Sequence, residues 1–346
     1  FGKSLLVLKY EYKEVQSNSI HLAENQTTRP ITLAFTGDIN LADTWENMQV
    51  YYAQENGIFD CISEGLRNKM QQADILLVNN EFSYSNRGQP MPGKQYTFRA
   101  KTENVEIMQQ LGVDIVSLAN NHVFDYGEDA FYDTLETLQK SGIPYVGAGK
   151  NIEEAMQPQY FIVGGIKIAY VAASRAEKYI LTPEATETTP GILRTYNPAQ
   201  FLQVTETAKR NADIVIAYPH WGTENTSVLE KEQIELAHQL VDAGADLVIG
   251  AHPHCLQGVE YYNEKPIIYS LGNFWFNTAT VDTALLEISL QSPDEIIVRM
   301  LPCIQRGGKT FLLENASEKE KIWTFLESIS PGISFDNNGK MFATIQ

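Results

Sequence analysis

Six side chains that bind divalent cations well, Asp38, Glu81, Asn121, His220, His252 and His254, stand at the ends of apolar runs in this 346-residue chain. The runs are ITLAFTGD (31–38), DILLVNNE (74–81), DIVSLANNH (114–122), ADIVIAYPH (212–220) and ADLVIGAHPH (245–254). Short apolar runs rich in Ile, Leu and Val read as buried strands, and open α/β sheets bind their ligands outside the carboxyl ends of strands. Four of the six histidines, His122, His220, His252 and His254, fall in these strand-end loops, leaving His21 and His238 elsewhere. A lone histidine is more often a surface or hydrogen-bonded residue, but four at matching positions beside two carboxylates point to a metal centre.

Mixed oxygen and imidazole ligands suit Zn, Mn or Fe better than Ca or Mg, and no cluster of thiolates suggests a structural zinc cage. A carboxylate such as Glu81 can bridge two cations. Two cations a short distance apart activate a water and hold both oxygens of an in-line displacement at phosphorus, so a phosphoester is the natural substrate. An activated water attacks a carbonyl as readily, and a peptide- or polymer-cleaving hydrolase would use the same ligands.

The elements that must position these residues alternate. Helix-length segments around 60–72, 103–111, 127–141, 197–211 and 229–243 separate the strand runs, which is the βαβ rhythm of buried sheets with helices on their faces. YFIVGGIKIAYVAAS (160–174) reads as a hairpin turning at Gly164-Gly165, and KPIIYSLGNF (265–274) as a further strand. Residues 1–30 are a lead-in or linker, 31–280 the main domain, and 281–346 a C-terminal appendage of strands near 283–290 and 295–301 and a helix near 316–329. No internal repeat stands out.

A formal net charge of −17 argues against nucleic acid, which needs a basic face. The stretch from Phe82 to Thr102 holds no Asp or Glu but carries Arg87, Lys94, Arg99 and Lys101. It reads either as a solvated loop or as a place for an anion. Cys61, Cys255 and Cys303 are too far apart for a zinc or disulfide pattern. No apolar run is long enough to span a membrane. The first residue is Phe1, not Met, which leaves room for a leader or anchor upstream.

FTGD (35–38), VNNE (78–81), LANNH-x2-DYG (118–127), HWG-x-E (220–224), GAHPH (250–254) and SLGNF (270–274) occur in that order. Together they resemble the CapA-type capsule-synthesis family, the poly-γ-glutamate biosynthesis proteins, which are related to calcineurin-like metallophosphoesterases. The resemblance spans about residues 31–277 and implies a layered α-β-β-α fold. It implies Asp38 on a first metal, Glu81 bridging, Asn121, His220 and His252 on a second, and His254 on the first.

By the same resemblance His122 is the general acid and Asp125 orients it. Where the phosphoesterase pattern has D-x-H, this chain reads Asp38-Ile39-Asn40, so a histidine ligand is replaced: either Asn40 binds weakly through its oxygen and the site holds two ions, or the site holds one, or none without substrate. Asn40, Arg99, Glu224 and Asn273 are the candidate substrate contacts, Arg99 through bidentate bonds to an anion and Glu224 also as an orienting group or base. Trp221, Phe274 and Trp275 either line a cleft or pack. The family implies an extracellular or cell-surface location, membrane-bound capsule-synthesis machinery as a partner, and either hydrolysis of a phosphoester or a non-catalytic role in handling an anionic polymer.

Overall fold

The apolar runs fold as strands buried on both faces. Ile75–Asn80 and Ile214–His220 have no exposed residue, and Ile31–Ile39 has only one that is not fully buried. This computed structural model describes residues 20–22, 29–177 and 181–344. Most of the lead-in expected over 1–30 lies outside the described residues. Its Ile20–Leu22 is a strand that pairs in parallel with Gln159–Val163.

Two sheets result. The first, of eight strands, runs in the order Lys309–Leu312, Glu295–Arg306, Val281–Ser292, Ile31–Ile39, Ile75–Asn80, Ile115–Ser117 and Tyr145–Val146, with Asn273–Trp275 also paired to Ile31–Ile39. The second, of seven, runs Ile20–Leu22, Gln159–Val163, Ile166–Ser174, Ile214–His220, Leu247–Ile249, Lys265–Ile268 and Val259–Tyr262. The hairpin at Gly164-Gly165 forms as expected, antiparallel from Val163↔Ile166 outward.

Alternate residues on each strand enter different cores, as the two-residue period requires. Leu33, Phe35 and Leu77 of the first sheet pack against Ile168, Tyr170 and Ile216 of the second. On the outer face of the first sheet, Ala34, Leu76 and Val78 meet helices Glu64–Gln72, Val105–Leu111 and Gly127–Lys140 through Leu66, Met108 and Phe131. On the outer face of the second, Ala169, Val171 and Val215 meet helices Ala199–Asn211 and Lys231–Asp242 through Phe201, Leu236 and Leu240. The layers are therefore α-β-β-α. The C-terminal segment is continuous with the first sheet, Val281–Ser292 running antiparallel to Ile31–Ile39, and helix Ala316–Ser328 adds Ile322 and Leu326 to the inter-sheet core. Among the described residues no helix is long and apolar enough to cross a membrane.

One device recurs at the N-terminal ends of the parallel strands. Asp74, Asp114, Asp213 and Asp246 each precede a strand, and each carboxylate accepts a hydrogen bond from a backbone N–H of the neighbouring parallel strand: Thr32, Leu76, Lys167 and Val215, at 2.8, 2.8, 2.8 and 2.9 Å. The N–H of each aspartate donates back to the carbonyl of the same residue. Asp74 stands seven residues before Glu81, Asp114 seven before Asn121, Asp213 seven before His220, and Asp246 six before His252. At the other end, Gly37 passes so close to Gly272 that a Cβ on Gly37 would run into the Gly272 carbonyl. That approach lets the Asp38 N–H donate to Gly272 O at 2.9 Å and sets Asn273 opposite Asp38.

Candidate metal centre

Both sheets deliver the candidate ligands to one place. Asp38, Glu81 and Asn121 come from carboxyl ends in the first sheet, and His220, His252 and His254 from the second, where a bridge between His220 and Ala251 holds the two strand ends together. Asp38, Glu81, Asn121, His220 and His252 are buried, and the His254 side chain is 11% exposed. His252 and His254 have φ values of +99° and +58°, a backbone state that costs energy for residues with a Cβ and that concentrates at functional sites. Asn225 N–H to Pro253 O at 2.8 Å ties down the loop that carries them.

The distances suit shared ions. Glu81 Oε1 lies 3.7 Å from His220 Nε2, 3.8 Å from His254 Nε2 and 4.0 Å from His122 Nε2, and accepts a hydrogen bond from none of them. His220 Nε2 is 2.8 Å from Asn121 Oδ1, and His254 Nδ1 is 3.1 Å from Asp38 Oδ2. Ions with bonds of about 2.0–2.2 Å to nitrogen and oxygen hold neighbouring donor atoms roughly 3–3.5 Å apart, close to these values. Glu81, His220 and His252 form one set of mutually close ligand atoms, and Asp38, Glu81 and His254 another. No hydrogen bond reaches Asp38 Oδ2, Glu81 Oε1 or His252 Nδ1, although all three are buried. Buried polar atoms are normally satisfied, so the residues present fit divalent cations.

The electrostatics fit as well. Burial, reinforced by the Asp38 charge, pushes the Glu81 carboxyl well above the ordinary carboxylate range. Burial opposes ionisation of Asp38 too, but the adjoining His254 and the Asn79 amide outweigh it and lower its pKa. Burial, together with the other imidazoles, drives His220 well below the usual histidine value and His252 down to about 3. His254 resists the same burial because Asp38 stabilises its charged form, and its pKa rises. His220 and His252 are thus neutral imidazoles with lone pairs to give.

His122 sits on the rim of this set. Its Nδ1 is 2.7 Å from Asp125 Oδ2, which also accepts from the Phe98 N–H at 2.6 Å. Asp125 Oδ1 is 2.6 Å from the ammonium of Lys94, whose side chain is only 4% exposed. Lys94 also meets Glu177 at 3.1 Å and donates to the Asn121 carbonyl, which accepts from Thr182 Oγ1 at 3.0 Å as well. The rings of Phe98 and Phe276 pack against His122 and His254, at 4.4 and 4.7 Å.

The four proposed substrate contacts fare differently. Asn273 Oδ1 is 2.9 Å from His254 Nδ1, which makes it a brace for that ring. Asn40 Oδ1 accepts from the Ala42 N–H at 2.8 Å, so its oxygen is turned to the chain and its buried Nδ2 has no partner. Glu224 is exposed and lies within ligand distance of His252 and His254. Arg99 is held elsewhere: its guanidinium donates to the carbonyls of Arg87 and Gly88 and covers the Tyr126 ring.

The wider basic stretch is likewise no open anion surface. Arg87 pairs with Asp129 and Asp133, and Lys94 with Asp125 and Glu177, because the acids missing from residues 82–102 arrive from other segments. Trp221, Phe274 and Trp275 are fully buried packing residues.

Sequence reasoning missed Asn79 and Lys94 as parts of the site. The Asn79 amide donates to Asp38 Oδ1 at 2.8 Å and Glu81 Oε2 at 3.1 Å, holding the two carboxylates side by side. The only signal for it was the doubled asparagine of VNNE. Lys94 stood out only as a member of the basic stretch, since its partners lie 31 and 83 residues away in sequence.

Residues 32–278 match the family model described as "Bacterial capsule synthesis protein PGA_cap". The chain is similar to capsule biosynthesis protein CapA of Bacillus anthracis, 29% identical over 89% of this chain and 75% of that one. It is also similar to PGA biosynthesis protein CapA of Bacillus subtilis, 31% identical over 75% and 68%. Likeness to solved structures is distant: NAD nucleotidase of Haemophilus influenzae overlays with a TM-score of 0.46 at 16% identity, over 89% of this chain and 57% of that one. A likeness of that size says nothing of the chemistry.

Proposed function

We propose, from the premise that this chain belongs to the bacterial capsule synthesis protein PGA_cap family, that it hydrolyses a phosphoester with one or two divalent cations, in the making or export of an anionic polymer at the cell surface. One observation carries the reading. Glu81 Oε1 is buried among three imidazole nitrogens at 3.7–4.0 Å and bonded to none, as a bridging carboxylate is before its cations arrive.

Glu81, Asn121, His220 and His252 would hold one ion, and Asp38, Glu81 and His254 the other. A cation held there supplies Lewis acidity to phosphoryl oxygens and lowers the pKa of an attacking water. The remaining work falls to the chain. With Nδ1 engaged by Asp125, His122 keeps Nε2 to carry a proton to the leaving oxygen. Lys94 balances the Asp125 charge and, with Thr182, holds the Asn121 backbone in place. Phe98 and Phe276 exclude water from the backs of the two rings.

The test is metal analysis paired with a substrate screen. Protein stripped by chelator and reloaded with Mn, Zn or Fe is expected to turn over phosphomonoesters or phosphodiesters. His122→Ala should lower kcat about 10²–10⁴-fold, the usual worth of a general acid, with the metal content unchanged. Metal-loaded protein that hydrolyses no phosphoester, or that cleaves γ-glutamyl peptides instead, would overturn the reading.

A further inference from the structure

The set formed by Asp38, Glu81 and His254 is one side chain short. Asn40, two residues after Asp38, turns its side-chain oxygen to the Ala42 N–H at 2.8 Å, and its unpartnered Nδ2 is a donor that cannot bind a cation. Three protein ligands leave a cation more weakly held than the Glu81, Asn121, His220 and His252 set beside it would.

Glu224 stands where that shortage is felt. It is exposed, four residues after His220, and among the described residues its carboxylate forms no hydrogen bond or ion pair. Its carboxylate oxygen and ring nitrogens of His252 and His254 all lie within 4.8 Å of one another. His252 belongs to one candidate set and His254 to the other, so the exposed Glu224 carboxylate lies close to a member of each.

The loop that carries Glu224 is built rather than loose. Asn225 N–H donates to Pro253 O at 2.8 Å, Gln257 Nε2 to Thr226 O at 3.0 Å, and Thr223 Oγ1 pairs with Glu230 at the cap of helix Lys231–Asp242. The first of these bonds fastens the Glu224 loop to the same loop that carries His252 and His254. Nothing in the packing requires an acid at 224.

We propose that Glu224 is a metal ligand that closes the centre from the solvent side and makes up for Asn40. This rests on the metal-centre reading above. It adds a specific consequence: with Asp38, Glu81 and Glu224 around His254, that half of the centre is richer in carboxylate than the half built on His220 and His252. Carboxylate ligands favour Mn²⁺ over softer, imidazole-preferring ions.

Mn²⁺ binding to the whole chain tests this without reference to turnover. The wild type is expected to bind two Mn²⁺ and to give the electron paramagnetic resonance signal of a coupled pair. Glu224→Gln and Glu224→Ala should each weaken one of the two ions at least tenfold and leave the signal of an isolated ion at one equivalent. Both variants should melt with the wild type when metal-free, because the side chain is exposed and unpaired. Unchanged stoichiometry, affinity and coupling in both variants would overturn the role of Glu224 alone. A wild type that binds no Mn²⁺ would overturn the role of Glu224, and one that binds none of Mn²⁺, Zn²⁺ or Fe²⁺ would overturn the metal-centre reading with it.

Discussion

At the N-terminal ends of the parallel strands, acids are surrounded by donors: Asp74 has the Thr32 N–H and Arg29, and Asp246 has the Val215 N–H, Lys209 and Lys265. At the carboxyl ends of the same strands, Asp38 Oδ2, Glu81 Oε1 and His252 Nδ1 are buried with no hydrogen bond. Taking a polar group out of water costs stability wherever it happens. At one end the chain offsets that cost itself, and at the other it leaves the cost standing. The sheets thus separate an edge whose acids are satisfied from the edge that carries the proposed metal centre, and hydrogen-bond accounting alone tells them apart.

The contrast is broken most directly at Asp246. It is buried, and Asp246→Ala would strip the Val215 N–H of its acceptor and leave two lysines without their shared carboxylate. The expected loss is about 2–3 kcal/mol, the cost of orphaning a buried donor together with a charge-assisted contact. Urea unfolding measures it, and a loss well under 1 kcal/mol would deny this end its stabilising character.

At the other end the sign reverses. The folded pKa of Glu81 lies well above its ordinary 4.5, so folding favours the protonated acid. Metal-free wild type should therefore lose stability as pH rises from about 4.5 toward that folded pKa, and Glu81→Gln, which cannot ionise, should not. The variant is expected to melt higher than the wild type in mildly alkaline buffer with chelator and level with it in acid. Added metal should reverse the order. Parallel melting curves across pH would remove the distinction between the two ends.

The smallest effect belongs to Arg29→Ala. Its partner Asp74 keeps the Thr32 N–H, and Arg29 is nearly half exposed, so the pair should contribute no more than about 1 kcal/mol in a thermal melt. A larger loss would make the arginine, rather than the carboxylate-to-backbone bond, the working part.

The apolar runs were legible in the sequence because strands buried on both faces read as uninterrupted Ile, Leu and Val, and the Gly164-Gly165 hairpin because that dipeptide has few other uses. Asp38, Glu81 and His220 could be placed because strand ends are fixed by where such runs stop. Helix Glu46–Tyr52 escaped notice because it buries little, only Asn47 and Met48. The partners of Arg87, Lys94 and Arg99 were invisible for a different reason: pairing across loops is decided by the packing of the layers, which no local pattern encodes. Glu224 could be named as a candidate, but its approach to His252 and His254 depends on the Asn225 to Pro253 bond between two loops.

The four aspartates at the strand starts bear on how errors are avoided. A strand such as Ile75–Asn80, buried at all six positions, would hide almost the same apolar surface if it slid by a residue or two against its neighbour. Such a slide would carry Glu81 about 3.3 Å per residue along the sheet, enough to ruin a binding geometry that tolerates far less. Hydrophobicity is nearly blind to that mistake. A carboxylate that must find one particular N–H is not, and it sits a fixed six or seven residues from the ligand it governs. The positions of Glu81, Asn121, His220 and His252 are thereby gauged from the far edge of the sheet, and a misaligned strand would forfeit its Asp-to-backbone bond whether or not an ion is present.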